Sequence, residues 1–472
     1  MTARSTRRPL PGLLAVGLAT CLLSLPAEAQ SRGRAAKKAQ PATSPAQSGA
    51  QYAGLSAPKR VALGFEGEEA DIEAIAEQLD LDVIKGSERK STWLMETEPG
   101  VTPNQLSQIL VTLGTFQGTL YAEEDLRADI PDVAGCAAGP PPPGEVEPQQ
   151  CTVGFVDGNP TQAAYTQQRA LDQISAIPAQ RLPRVYTPVV AVIDTGIDLA
   201  HPVFKGRLAS MGYDFVLDQP RAFEVADGID DDGDGLVDEA YGHGTHIAGT
   251  ILAVDPWARI LPIRAMDSDG GGFAFDIAQA IFYAVDEGAD IINLSLSVSQ
   301  PTESLVSALQ YAEARGAFVF TSAGNTGNSV LFPGTYKAGD YEVVLPIIAG
   351  AELDGEEILT VAAVDEDDVK AVFSAWGDDV DFSAPGVAVY SAYPGNQYAW
   401  YSGTSMATAI ASGAAALTLG VGGPWPLVDS AELLSSNADP IEALNPQFLG
   451  GLGSGRLNAF AATFQALLPP MQ

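Results

Sequence analysis

An α/β architecture is what this 472-residue chain predicts: a mostly parallel, doubly wound sheet preceded by a small α+β unit of ferredoxin-like order. Three observations point there. Hydrophobic residues make up 46% and charged residues 18%, enough apolar material for a large core. In the second half, short apolar runs alternate with amphipathic stretches, as in a parallel sheet covered on both faces. Residues 61–130 instead read strand, helix, strand, strand, helix, strand.

Taken in order, the chain opens with Arg4, Arg7 and Arg8, an apolar run from Leu10 to Leu25, and the small residues of Ala27-Glu28-Ala29. This is the pattern of a secretory signal, expected over 1–29, and the run is too short to span a bilayer. Cys21 follows Leu18-Ala19-Thr20, a poor lipoprotein box, so release is expected rather than anchoring. Residues 30–60 lack apolar periodicity and read as a flexible leader. Val61–Phe65 begins the small unit. A helix over Glu69–Leu79 has apolar residues at 72, 75, 76 and 79. Strands are expected at Leu81–Lys85 and Thr92–Thr97, a helix at Thr102–Leu113 started by Thr102-Pro103, and a last strand at Gly118–Glu123. The run Pro140 to Pro143 with Gly144 marks 131–150 as a stiff linker. Cys136 and Cys151 form an even pair that secretion would oxidise to a disulfide.

The remaining body, 151–472, carries strands at Val189–Asp194, Ile260–Ala265, Asp290–Leu296 and Ala317–Ser322. Helices are expected near 243–254, 273–288, 303–315, 405–419 and 428–437. No internal repeat is evident. Net charge is −34, and the first 60 residues hold 9 of the 25 cations, so the rest is more acidic still. Such a surface repels phosphate backbones and argues against nucleic-acid binding.

Only three histidines occur: His201, His243 and His246. Ligands of a parallel sheet bind at the carboxyl ends of strands. There stand Asp194 in Val192-Ile193-Asp194-Thr195-Gly196 and Asn325 in Ser322-Ala323-Gly324-Asn325; His243 and Ser405 open helices, in Gly242-His243-Gly244-Thr245-His246 and Gly403-Thr404-Ser405-Met406. A serine hydroxyl needs an imidazole to take its proton, a carboxylate to orient that imidazole, and donors for the oxyanion. Zinc on the His243/His246 pair is disfavoured, because Gly244 and Thr245 supply neither a further ligand nor the Glu of zinc hydrolases.

The order Asp, His, Asn, Ser with these local strings resembles the subtilisin-like serine proteases, the subtilases of family S8. The phrases from Asp194 to Pro202 and from Gly451 to Ala459 extend the resemblance over roughly 160–465. It implies a subtilisin-like endopeptidase acting on polypeptides through an acyl-enzyme without a catalytic cofactor. Asp194 would orient the base, His243 act as general base, Ser405 attack, and Asn325 with the Ser405 N–H stabilise the oxyanion. It further implies that Gly270, Gly271 and Gly272 form one rail for an extended substrate and Ser295, Leu296 and Ser297 the other. Those three and Ser322, Ala323 and Gly324 would wall the primary specificity pocket. Ser297 stands where the family often has Gly, and Ala409 where it usually has Pro. The 61–130 unit is similar to the family's inhibitory propeptide, so a pro-form cut in the linker is expected, giving a monomeric enzyme with no stable membrane insertion. The segment 326–356 is longer than in compact subtilases and is expected to lie along the cleft.

Between Asp194 and His243, acids at Asp230, Asp232, Asp234 and Asp238 around Gly233 and Gly235 match the first part of a calcium loop, although Tyr241 breaks a full EF-hand. Structural Ca2+ is therefore expected. A catalytically silent, calcium-dependent binding module on the same scaffold is the alternative function. An esterase is disfavoured by the absence of a Gly-x-Ser-x-Gly elbow at Ser405.

Overall fold

The computed structural model describes residues 57–87, 90–132, 155–158, 160–337, 341, 345, 358–424 and 427–468. The signal and most of the leader, the linker from 133 with Cys136 and Cys151, and most of 338–357 lie outside them.

The N-terminal unit is a four-stranded antiparallel sheet of β1 (Arg60–Phe65), β2 (Leu81–Ser87), β3 (Thr92–Thr97) and β4 (Thr119–Glu124), in the order β2-β3-β1-β4. Helices Glu69–Leu79 and Pro103–Leu113 cover one face, burying Ile72, Ile75 and Leu106 against Val61, Leu63, Trp93 and Met95. Both helices begin with capping boxes, Glu68 with Asp71 and Thr102 with Gln105, which satisfy amide groups a helix start leaves free. The ferredoxin-like order expected from sequence is the one observed.

The next strand, β5 (Arg127–Asp129), leaves this sheet and enters the body. There the short strand β6 (Phe155–Val156) is followed by the strands of the main sheet: β7 (Val189–Asp194), β8 (Tyr213–Asp214), β9 (Gln219–Pro220), β10 (Arg259–Arg264), β12 (Ile291–Leu294), β14 (Phe318–Ser322), β15 (Ile358–Val364) and β16 (Phe382–Pro385). Their spatial order is β16-β15-β14-β12-β7-β10-β8-β9, parallel except for β8 with β9. The short strands β11 (Gly271–Phe273) and β13 (Ser297–Val298) flank β5, and a hairpin of β17 (Val389–Tyr393) and β18 (Gln397–Tyr401) pairs with β6.

Alternation along β7 shows why the sheet is doubly covered. Val190 and Val192 pack with helices His243–Val254 and Thr404–Gly422, while Ala191 and Ile193 pack with helices Ala274–Asp286 and Glu303–Ala314. Chain order reverses on either side of β7, between β10 and β12, and at that switch point the carboxyl end of the sheet opens a crevice. Thr404–Gly422 is the one described helix long and apolar enough to cross a membrane, but 94% of its apolar window is buried in the core.

The small unit sits on the helices Ala274–Asp286 and Glu303–Ala314. Asp125 Oδ1 accepts from the Phe275 N–H at 2.8 Å, and Glu123 accepts from Glu303 N–H (2.7 Å) and Ser304 N–H (2.9 Å), so carboxylates cover both helix starts. Arg60 pairs with Asp125 and Asp276 (both 2.8 Å), Lys85 with Asp276, and Lys90 with Asp286 at 3.1 Å. Arg60, Lys85 and Lys90 thus each reach an acid of the body, Asp276 or Asp286.

Candidate active site

Four elements bring the expected residues to the switch point. Asp194 is the last residue of β7, Asn325 follows β14, and His243 and Ser405 lie in the first turns of their helices. His243 Nδ1 donates to Asp194 Oδ1 at 2.8 Å and lies 3.0 Å from Oδ2, while the Thr195 N–H donates to the same Oδ1 at 2.8 Å. The helix approaches β7 this closely because residue 244 has no side chain: a Cβ there would stand 2.1 Å from the Gly196 carbonyl oxygen.

The Asn325 amide is oriented by its own oxygen. Oδ1 accepts from Thr404 N–H (3.0 Å) and Thr404 Oγ1 (2.8 Å), so Nδ2 faces the catalytic crevice. Thr404 was not anticipated from sequence; its place beside Ser405 was its only signal. Ser405 is fully buried and its hydroxyl donates to the Ser295 carbonyl at 3.4 Å. Its own backbone N–H belongs to the first helical turn, where amides lack intrahelical partners. Ala409 is accommodated without breaking the helix.

The crevice is filled by the chain itself. β5 runs antiparallel between β11 and β13, pairing Asp129 with Gly271 and Ser297, and Ala128 with Gly272 and Val298. Ile130 N–H donates to Gly270 O at 2.9 Å. Ala128, Ile130 and Asp132 point inward and are buried; Arg127 and Asp129 point outward. The paired segments are Gly271–Phe273 and Ser297–Val298, one and two residues further along than the rails expected from sequence. Ser295 instead holds the loop: its Oγ accepts from Asn293 Nδ2 at 2.9 Å and donates to Ser405 O at 3.3 Å. Leu296 is core, Ser322 and Ala323 are buried at the end of β14, and Gly324 takes φ +98°. Phe332, in the connection after Asn325, bridges to Val298.

Asp132 closes the site. One of its oxygens lies 3.0 Å from His243 Nε2 and the other accepts from Asn325 Nδ2. A Cβ on Gly403 would collide with this carboxylate. Nothing local in Asp129-Ile130-Pro131-Asp132 marks the residue; only the fold brings it 111 positions along the chain to the imidazole. Burial alone would depress the His243 pKa, but Asp194 and Asp132 on either side outweigh it and push it to about 10, holding the ring as a cation. His246 is the opposite case. Burial, with the neighbouring His243 charge, pushes its pKa down to about 3, and Nε2 faces the Val389 and Ala399 carbonyls at 3.1 and 3.2 Å. His201 Nε2 meets Gln397 O at 3.0 Å. Both are packing residues remote in role from the crevice.

In the acidic loop, ligand oxygens of Asp230, Asp232 and Asp234 all lie within 4.8 Å of one another. Asp238 stands apart from that group, its carboxylate accepting from Asp227 N–H and Gly228 N–H. Asp231 Oδ1 and Glu239 Oε2, in the same loop, are shielded from solvent without a hydrogen-bond partner. Burial, reinforced by neighbouring carboxylates, raises Asp231 to about 6 and Glu239 to about 7.

Fold and crevice define a serine peptidase with an Asp–His pair at the switch point of a subtilisin-like sheet. The chain belongs to the subtilase family, peptidase family S8, whose model matches residues 187–453. It is 37% identical over 284 residues to the thermophilic serine proteinase of Bacillus sp. strain AK1, covering 58% of this chain and 61% of that protein. Thermitase of Thermoactinomyces vulgaris is 33% identical over 284 residues, 58% of this chain and 87% of thermitase. Fervidolysin of Fervidobacterium pennivorans, a keratinolytic enzyme related to subtilisin, shares the fold with a TM-score of 0.62 at 22% identity, over 89% of this chain and 62% of that one.

Proposed function

We propose that the protein is a secreted serine endopeptidase, made as a pro-form, that hydrolyses polypeptides through an acyl-enzyme. The observation that carries this reading is the Asp194–His243 pair at 2.8 Å, with Asn325 aimed into the same crevice and Ser405 at a helix start beside it. Once Asp132 leaves, His243 Nε2 takes the Ser405 proton while Oγ bonds to the scissile carbonyl carbon. Asn325 Nδ2 and the Ser405 N–H stabilise the oxyanion. Imidazolium then protonates the departing amine, and water, deprotonated by the same ring, releases the acid. The test is covalent labelling with a fluorophosphonate. Labelling at Ser405, lost in Ser405→Ala, supports the enzyme; a folded chain already cut in the linker and freed of its N-terminal unit that neither labels nor cleaves peptides is the silent binding module.

Residues 61–130 act as the inhibitory propeptide in this reading, supported by the backbone of 127–130 held between two strands and by Asp132 on the catalytic base. The signal at 1–29 would export the chain, and cleavage in the linker would free a monomeric enzyme. Whether the Cys136–Cys151 disulfide tethers the cut propeptide is read from gel mobility with and without reductant.

Calcium in the 230–239 loop is supported by the three converging carboxylates and by the two shielded oxygens that lack partners. Such an all-oxygen set suits a hard cation, which would relieve repulsion among the acids. Its contribution would be to stability, with no part in bond cleavage; chelation should lower the melting temperature, and an unchanged melt removes the site.

A further inference from the structure

Behind the triad lies a carboxylate that the catalytic steps do not use. Glu224 sits on the segment that bridges to Ile197 beyond β7, and Gly196 lets it pack closely, since a Cβ there would stand 2.5 Å from the Phe223 carbonyl. It accepts four hydrogen bonds. Oε1 takes Thr195 Oγ1 (2.6 Å) and Gly242 N–H (3.0 Å); Oε2 takes Thr245 Oγ1 (2.6 Å) and Thr245 N–H (3.2 Å). Gly242 is the N-cap of the catalytic helix and has no side chain to cap it, so Glu224 performs that task from another strand.

The Thr195 hydroxyl is the point of contact with the triad. It lies 2.6 Å from Glu224 and 3.3 Å from Asp194 Oδ1, and it accepts from the Gly244 N–H at 3.1 Å. A hydroxyl has one proton, and the much shorter of its two carboxylate contacts claims it. Asp194 Oδ1 therefore keeps its lone pairs for His243 and the Thr195 amide. Without Glu224, that proton would turn to Asp194 and weaken its hold on the imidazole.

We infer that Glu224 is a positioning residue of the peptidase, which fixes the His243 helix start and reserves Asp194 for the imidazole by holding the Thr195 proton. The inference rests on the proposed peptidase activity. The charged and titratable groups around Glu224 are Asp194 on β7, Tyr241 ahead of the helix, and Tyr393 and Tyr401 on the hairpin. Around His243 they are Asp194, Asp132 and His246, with the Tyr401 ring 6.5 Å away. Among the described residues Glu224 makes no ion pair; burial, with the Asp194 charge, raises its pKa, and its four hydrogen-bond donors oppose that rise.

The experiment measures kcat and KM against pH for the active enzyme and for Glu224→Gln and Glu224→Ala, with thermal melts of each. Glu224→Gln keeps the shape, removes the charge and sets an amide NH2 against one of the two backbone N–H donors. It should lower kcat about tenfold, change KM less than twofold, and move the acid limb about half a pH unit lower, because the Thr195 proton released toward Asp194 weakens that carboxylate's hold on imidazolium. Glu224→Ala should lose more kcat and melt lower. A folded Glu224→Gln enzyme with kcat within twofold of the parent and an unmoved acid limb overturns the inference. An inactive parent enzyme instead overturns the proposed function, so the two failures are distinct.

Discussion

Asp132 and His243 form a buried ion pair at 3.0 Å across the mouth of the catalytic crevice. The pair does two things together. It supplies the second anion that keeps the imidazole protonated, and it puts a carboxylate oxygen on Asn325, where a scissile carbonyl oxygen would be stabilised. A protonated His243 cannot accept the Ser405 proton, and the Ser405 hydroxyl accordingly turns to the Ser295 carbonyl.

On the propeptide reading proposed above, removing Asp132 should unlatch the crevice. Breaking one side of a buried charge pair commonly costs about 3–5 kcal/mol, so Asp132→Ala should weaken inhibition by the N-terminal unit by roughly a hundredfold to a few thousandfold. The readout is hydrolysis of a chromogenic peptide against the fraction of uncut chain on a gel. Equal latency in parent and variant would show that β5 alone closes the crevice.

Ser405→Ala should abolish cleavage while the melt stays within a few degrees, because the hydroxyl makes one long hydrogen bond. Asn325→Ala should reduce turnover about 10²–10³-fold, the penalty known for a missing oxyanion donor in a subtilisin, with KM little altered. A large KM effect would assign Asn325 to ground-state binding.

The His243 pKa rises from 6.5 free to about 10 in the closed pro-form. Asp194, and Asp132 with it, therefore stabilise the folded state fully below pH 6.5, and the contribution is lost as pH climbs through 10. Melts of the Ser405→Ala full chain should fall across this window, and adding Asp132→Ala should reduce the slope while Asp194 keeps part of it. Parallel slopes would remove the linkage.

Docking of the small unit carries its own pH dependence through Asp125. Burial, with Asp276 adding to it and Arg60 opposing, raises this carboxyl from 3.8 to about 7. Its folded form binds the proton more tightly, so docking is favoured below pH 3.8 and weakens as pH rises through 7. Asp125→Asn should level the inhibition constant of the separately added unit across pH 4–8; an unchanged slope would place the titration elsewhere.

The strands before Asp194 and Asn325 are legible because each joins a continuous apolar run to a polar end, as in Val189–Asp194, and the helices of His243 and Ser405 through the Gly-containing strings that open them. Helix Glu69–Leu79 was legible to the residue through its apolar spacing. Three helices of four or five residues between Gln162 and Ala179 were too short to show a period. The hairpin Val389–Tyr393 with Gln397–Tyr401 has aromatic residues on both faces, which blurs alternation. β15, Ile358–Val364, is as apolar as its neighbours, yet the sequence reading places no strand there. Asp132, Glu224 and Thr404 carry no local signal for a common reason: their roles come from partners 111, 18–29 and 79 residues away, and no local pattern encodes such a meeting.

The two donors that grip Asp132 do not distinguish one carboxylate from another. Each turnover at Ser405 would release a peptide acid whose fresh terminal carboxylate is born beside His243 and Asn325, so accumulating cleavage products would slow the enzyme, most strongly where the imidazole is charged.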